Sequence, residues 1–114
     1  IMKHLKLVIN NENKKTDIFF NKKELKLILN LYAKMVSNGD WKDYRLSISK
    51  KEVSFDVYHR TSEYPAYKIT KNLKPNYVSY KYLIKDGHNK IINKSENLDN
   101  LIRKVIWKKF KLVN

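Results

Sequence analysis

Hydrophobic residues change their spacing twice along this chain, and each change marks a new element. The first clear pattern follows Ile18-Phe19-Phe20. Asn21 can cap a helix, Glu24 stands three residues on as the reciprocal cap, and Phe20 is placed to staple onto Leu25. Apolar residues then recur at Leu25, Ile28, Leu29, Tyr32, Met35 and Val36, the stripe of an amphipathic helix. Leu27 and Leu31 widen the stripe. Leu29 falls at its centre and is expected to be packed on all sides. Asn38-Gly39 suits the left-handed cap that ends a helix.

From Tyr44 the period falls to two. Leu46 and Ile48 alternate with polar neighbours, Lys50-Lys51-Glu52 turns, and Val53, Phe55 and Val57 alternate again, which predicts a hairpin with one buried face. Pro65 lacks a ladder donor and belongs at a strand start or edge; Tyr67 and Ile69 continue the inward set. Residues 72–76 read as a connection. Val78, Tyr80, Tyr82 and Ile84 form a fourth inward set, ended by Asp86-Gly87, the strongest short hairpin signal in the chain. Ile91 and Ile92 lie on the return strand. Ser95 or Asn97 caps a closing helix with the stripe Leu98, Leu101, Ile102, Val105 and Ile106. Ahead of these elements, residues 4–10 alternate weakly as a short strand and residues 11–15 read as a polar loop. The expected fold class is α+β: an amphipathic helix, an antiparallel sheet of about four or five strands, and a closing amphipathic helix. A single domain is expected over 1–114, with its core at about 18–106. A basic C-terminal extension at about 107–114 begins at Trp107 and includes Phe110.

Charge adds a question that periodicity does not raise. The 114 residues carry a formal net charge of +14, which draws a protein toward polyanions such as nucleic acid or anionic lipid. Lysine outnumbers arginine 22 to 3, while glycine and alanine appear only twice each. This is the residue usage of AT-rich codons, so a solvated basic surface of purely compositional origin competes with the nucleic-acid reading. Lysine is also a point charge rather than the planar fork that suits base readout. Cysteine is absent, which rules out disulfides, thiolate zinc sites and a cysteine nucleophile, and fits a reducing cytoplasm. No apolar run approaches the ~20 residues of a membrane span. The start lacks the apolar core and cleavage site of a signal peptide. A cytoplasmic location is expected.

Candidate chemistry is sparse. Asp40-Trp41-Lys42-Asp43-Tyr44 is the densest polar-aromatic cluster and lies on a connection, where binding residues are often found. The competing role is packing, with Trp41 plugging one end of the core and Asp43 capping a turn. His59, Ser62 and Glu63 supply the residue types of a nucleophilic triad, but no glycine-rich turn surrounds the serine to form an oxyanion hole. An ion pair between Arg60 and Glu63 is the expected arrangement there. His4, His59 and His88 share no ligand spacing with each other or with acids. The two glycines, Gly39 and Gly87, are too few for a phosphate-cradling loop. No metal or cofactor is expected, and no enzymatic activity. If Val53, Phe55, Val57, Tyr67, Ile69 and the fourth set face the core, then Tyr58, Arg60, Lys68, Tyr77 and Lys81 share the opposite face of the sheet. Rings interleaved with cations on an open sheet suit single-stranded nucleic acid, because rings stack on bases while cations track phosphates.

The segment Glu24-Leu25, Ile28-Leu29, Tyr32, Met35-Val36, Gly39-Asp40-Trp41-Lys42-Asp43-Tyr44 resembles a family of small bacterial proteins catalogued only as a domain of unknown function. The pattern continues through Arg60-Thr61-Ser62-Glu63, Pro65 and Tyr67-Lys68-Ile69. That family's pattern is a helix ending in G-E-W-R-D-Y, a strand pair, R-x-S-E-x-P-x-Y-x-I, and a late glycine before a closing helix. Here Asp40 replaces the glutamate and Lys42 the arginine. The resemblance covers roughly residues 18 to 106 and implies a domain with no assigned activity. The expected function is a non-enzymatic protein-interaction or homodimer module, with an edge strand such as residues 4–10 able to pair edge to edge. The alternative is weak, sequence-nonspecific binding of single-stranded nucleic acid through the tyrosine-bearing sheet face.

Overall fold

The computed structural model describes residues 19–59 and 64–113, and side chains through residue 105. The weak strand at 4–10, the loop at 11–15, Arg60 and the Thr61-Ser62-Glu63 segment therefore lie outside the described residues. The side chains of Trp107 and Phe110 do as well.

The chain is α+β. Helix α1 spans Lys22–Ser37, strands β1 Asp43–Ile48, β2 Glu52–Tyr58, β3 Tyr67–Asn72, β4 Tyr82–Asp86 and β5 Ile91–Ser95 follow, and helix α2 spans Leu98–Val113. The five strands form one antiparallel sheet in the order β1-β2-β3-β4-β5, so every strand pairs with its neighbour in sequence. The period-two segments produce this meander because each inward residue meets an inward partner: Leu46 faces Phe55, Phe55 faces Ile69, and Ile69 faces Ile84.

Both described helices lie on this inward face. Phe20, Leu25, Ile28, Leu31 and Met35 join Val53, Phe55, Val57, Ile69, Tyr82 and Ile84, with Leu98, Leu101 and Ile102 closing the layer. Helix α1 starts on the anticipated capping box: Asn21 Oδ1 accepts from Glu24 N–H at 2.8 Å, and Glu24 Oε1 accepts from Asn21 N–H at 2.7 Å. It ends at Gly39, whose φ of +82° is costly for any residue with a Cβ. Asn97 caps α2 by accepting from Asn100 N–H at 3.1 Å.

Three expectations need correction. The buried stripe of α1 runs through Leu25, Ile28, Leu31 and Met35, while Leu29 is only half-buried and Val36 is exposed. The helix is rotated toward Leu31 because α2 packs beside it and Leu31 and Met35 face Ile102. Val78-Ser79-Tyr80 is no strand. It forms a single 3-10 turn, and β4 begins at Tyr82, opposite Lys71, because β3 ends at Asn72 and leaves residues 78–80 no partner. The Asp86-Gly87 hairpin also works differently. Asn89, not Gly87, takes the positive φ (68°). Gly87 is required for space, since a Cβ there would lie 2.4 Å from the Pro65 carbonyl oxygen.

Candidate functional site

The expected basic-aromatic sheet face does not assemble. Tyr58 does sit on the face away from the helices, but it is 6% exposed, and the Arg45 guanidinium lies 5.5 Å from its ring centroid. Ser54, Asp56, Thr70 and Leu83 on the same face are buried too. The Asp56 carboxylate accepts from the Ser54 and Ser47 hydroxyls at 2.7 and 3.0 Å, so its burial is compensated. Lys68 is half-buried on this face and donates to Asn89 Oδ1 at 2.9 Å. Tyr77 and Lys81 flank the 3-10 turn and lie beyond the sheet. Of the five residues assigned to one face, Arg60 is outside the described residues, Tyr58 is covered, and Tyr77 and Lys81 belong to a connection. Residues 76–81 keep the period of a strand without joining the sheet.

What the fold brings together instead lies at the two ends of the sheet. One end gathers the segments that carry the family pattern. Trp41 is 5% exposed and joins the core, its indole 6.3 Å from Tyr32. Tyr44 stacks on Phe55 with ring centroids 4.7 Å apart. Burial and the nearby Asp43 carboxylate raise the pKa of Tyr32 and Tyr44 above the ordinary phenol value. Trp41 Nε1 and Tyr44 Oη have no hydrogen-bond partner among the described residues, and a small apolar cavity of about 20 Å³ lies beside Trp41, Met35 and Ile102. Asp43 is exposed at the start of β1 and accepts from Tyr44 N–H at 2.8 Å. His59 Nδ1 donates to the Asp40 carbonyl at 2.7 Å, because a carbonyl can only accept. Lys42 N–H reaches Tyr58 O, Ala66 N–H reaches Val57 O, and Gly87 backs onto Pro65. Gly39, Asp40, Lys42, His59, Tyr64 and Pro65 border an open concavity of about 680 Å³. Asp86 at this end accepts from the backbone N–H groups of Lys90 and His88, which lower its pKa.

The other end holds a buried polar cluster that sequence reasoning missed. Lys71 Nζ pairs with Glu24 Oε1 at 3.0 Å and donates to the Phe19 carbonyl at 3.0 Å. Tyr82 Oη donates to Glu24 Oε2. Burial first, then this contact and the carboxylate charge, push the Tyr82 pKa far up. The signal was present in the sequence: Lys71 occupies an inward position of β3, two residues after Ile69, where a lysine needs a buried anion. Only the packing of α1 over β3 and β4 supplies one. On the opposite face of the sheet Lys85 pairs with Glu52 at 3.2 Å. Among the described residues no group of three His, Asp or Glu side chains is placed to hold a metal ion. No helix among them is long and apolar enough to cross a membrane.

Among the described residues these features define an α+β domain: an antiparallel meander carrying two helices on one face, with a buried Glu–Lys–Tyr cluster between α1 and the sheet. The chain belongs to the family described as protein of unknown function (DUF2794), which matches residues 18–102. No curated protein and no solved structure matches it.

Proposed function

We propose that this chain is a non-enzymatic interaction module that forms a homodimer by pairing the outer edge of β1 with the same edge of a second copy. The observation that carries this reading is the composition and register of β1. The bond from Ser49 N–H to Glu52 O (2.9 Å) closes the β1–β2 turn and sets the alternation of the ladder. The backbone groups of residues 43, 45 and 47 point at β2, and those of 44, 46 and 48 point away from it. Among the described residues no strand pairs with that outer edge. The edge carries neither proline nor bulge, two of the devices that usually guard an edge strand. Ile48 at its end is 59% exposed.

An antiparallel two-fold pairing centred on Leu46 matches like with like. Leu46 faces Leu46 and Tyr44 faces Ile48 on the helix side, while Arg45 faces Ser47 on the other. Shifting the axis to Arg45 would set two guanidiniums opposite each other, which disfavours that register. A non-catalytic role is supported by the polar groups best placed for chemistry being engaged with one another: Glu24 with Lys71 and Tyr82, and His59 with a backbone carbonyl. The cysteine-free composition suits a cytoplasmic setting.

Sedimentation velocity across a concentration series tests the proposal. Wild type is expected to move from monomer to dimer as concentration rises. Ile48→Pro removes one outward N–H without breaking the β1–β2 ladder and should remain monomeric with an unchanged circular dichroism spectrum. A wild-type chain that stays monomeric throughout, or an Ile48→Pro variant that dimerises equally well, would overturn it.

A further inference from the structure

The end of the sheet that holds the Glu24–Lys71 pair also presents the most exposed aromatic side chain among the described residues. Tyr77 is 71% exposed and Val78 beside it 67%. Large apolar groups held in water on an ordered turn lose the burial that usually justifies their presence. This turn is ordered by its own bonds. Tyr80 N–H donates to Tyr77 O at 2.9 Å, Lys81 N–H to Val78 O at 3.1 Å, and Asn72 N–H to Lys81 O at 2.7 Å. The Tyr77 and Tyr80 rings therefore stand as a preformed pair, with centroids 6.3 Å apart and planes inclined at 49°. Lys94 reaches over Tyr80, its Nζ 4.5 Å from the ring centroid and 3.3 Å from the hydroxyl.

The surroundings of this ring pair are cationic. Lys74 lies on the same connection, and Lys81 closes the turn. Lys51 on the neighbouring hairpin is tied to it by the bond from Leu73 N–H to Lys51 O at 2.8 Å. Both helices begin at this end, so their N-terminal N–H groups add positive potential. Of the acids close by, Glu24 is paired with Lys71, Glu52 with Lys85 and Asp99 with Arg103, and the exposed Glu96 offsets part of the positive charge.

We infer that the Tyr77–Tyr80 turn, with Lys74, Lys81 and Lys94 around it, is a binding site for single-stranded nucleic acid. The exposed Tyr77 ring takes an unstacked base beside the half-buried Tyr80, and the lysines take the flanking phosphates. Duplex bases are already stacked and cannot use the rings, and an acidic peptide would use the lysines but leave the rings idle. The site owes nothing to β1 pairing, because the two lie on different elements.

Fluorescence anisotropy with a labelled oligothymidine and with a duplex of equal length, at matched salt, tests the site. The single strand is expected to bind more tightly than the duplex. Its log K should fall against log salt with a slope of about −2, as three lysine–phosphate contacts would give. Tyr77→Ala, at an exposed position, should weaken single-strand binding by about 5-fold or more without altering the thermal melt. Lys74→Glu should weaken it further, while Lys42→Glu, the same charge change at the opposite end, should leave it nearly unaltered. Three results would each overturn the assignment: no binding of either oligonucleotide, Tyr77→Ala matching wild type, or Lys42→Glu weakening binding as much as Lys74→Glu. The last would mean that net charge alone attracts the strand.

Discussion

The two ends of the sheet solve opposite problems. The end that carries the family pattern is built for close contact. Trp41 is sunk into the core, His59 is tied to the Asp40 backbone, and Gly87 leaves room for the Pro65 carbonyl. Its recognisable residues hold α1, β1 and the loop before β3 together. The other end carries none of the pattern's tryptophan, proline or glycine, yet it exposes Tyr77 and Val78 among lysines and buries an ion pair beneath them. A recognisable motif can therefore mark where a fold is fastened.

This contrast breaks if the buried pair proves dispensable. Lys71→Ala would leave the Glu24 carboxylate without its cation while removing a donor to Phe19 O, and the expected loss is about 3–5 kcal/mol. Urea denaturation followed by circular dichroism measures it; a loss under about 1 kcal/mol would mean that the pair is solvated rather than structural. The fastening at the pattern-bearing end is tested by Gly87→Ala. The added methyl would sit 2.4 Å from Pro65 O, so backbone must move, at a cost of about 1–3 kcal/mol in the same assay.

The smallest effect sharpens the comparison through pH. Tyr82 is held protonated by burial and by Glu24, so its folded pKa lies above the ordinary 10.0. Above pH 10 the unfolded chain releases a proton that the folded chain keeps, and stability falls as pH rises. Below pH 10 that contribution is fully present. Tyr32 and Tyr44 at the other end have raised pKa values and act in the same direction. Tyr82→Phe should therefore flatten the alkaline loss of stability only in part, and thermal melts between pH 9 and pH 11 will show the residual slope. A slope identical to wild type would mean that Tyr82 titrates like a free phenol.

Period and capping chemistry determined much of this protein. The capping box at Asn21 and Glu24, the left-handed Gly39, the hairpin from Leu46 to Val57 and the closing helix at Leu98 are local features. Each depends on residues within a few positions of one another, so they are readable without the fold. Three outcomes are not local. Whether Leu29 or Leu31 centres the buried face of α1 depends on where α2 lies, and that is decided when both helices meet over β3 and β4. Whether Tyr58 is a stacking platform depends on what lies across its face. Alternation assigns a side chain to a face but says nothing of whether that face is covered. The break between Tyr77 and Tyr82 was hidden because apolar residues at 78, 80, 82 and 84 keep the period of a strand, while pairing ends with Asn72 on β3. Glu24 shows both levels in one residue. Its position three after Asn21 made it a helix cap from sequence alone, and only packing brought Lys71 and Tyr82, 47 and 58 residues away, onto the same carboxylate.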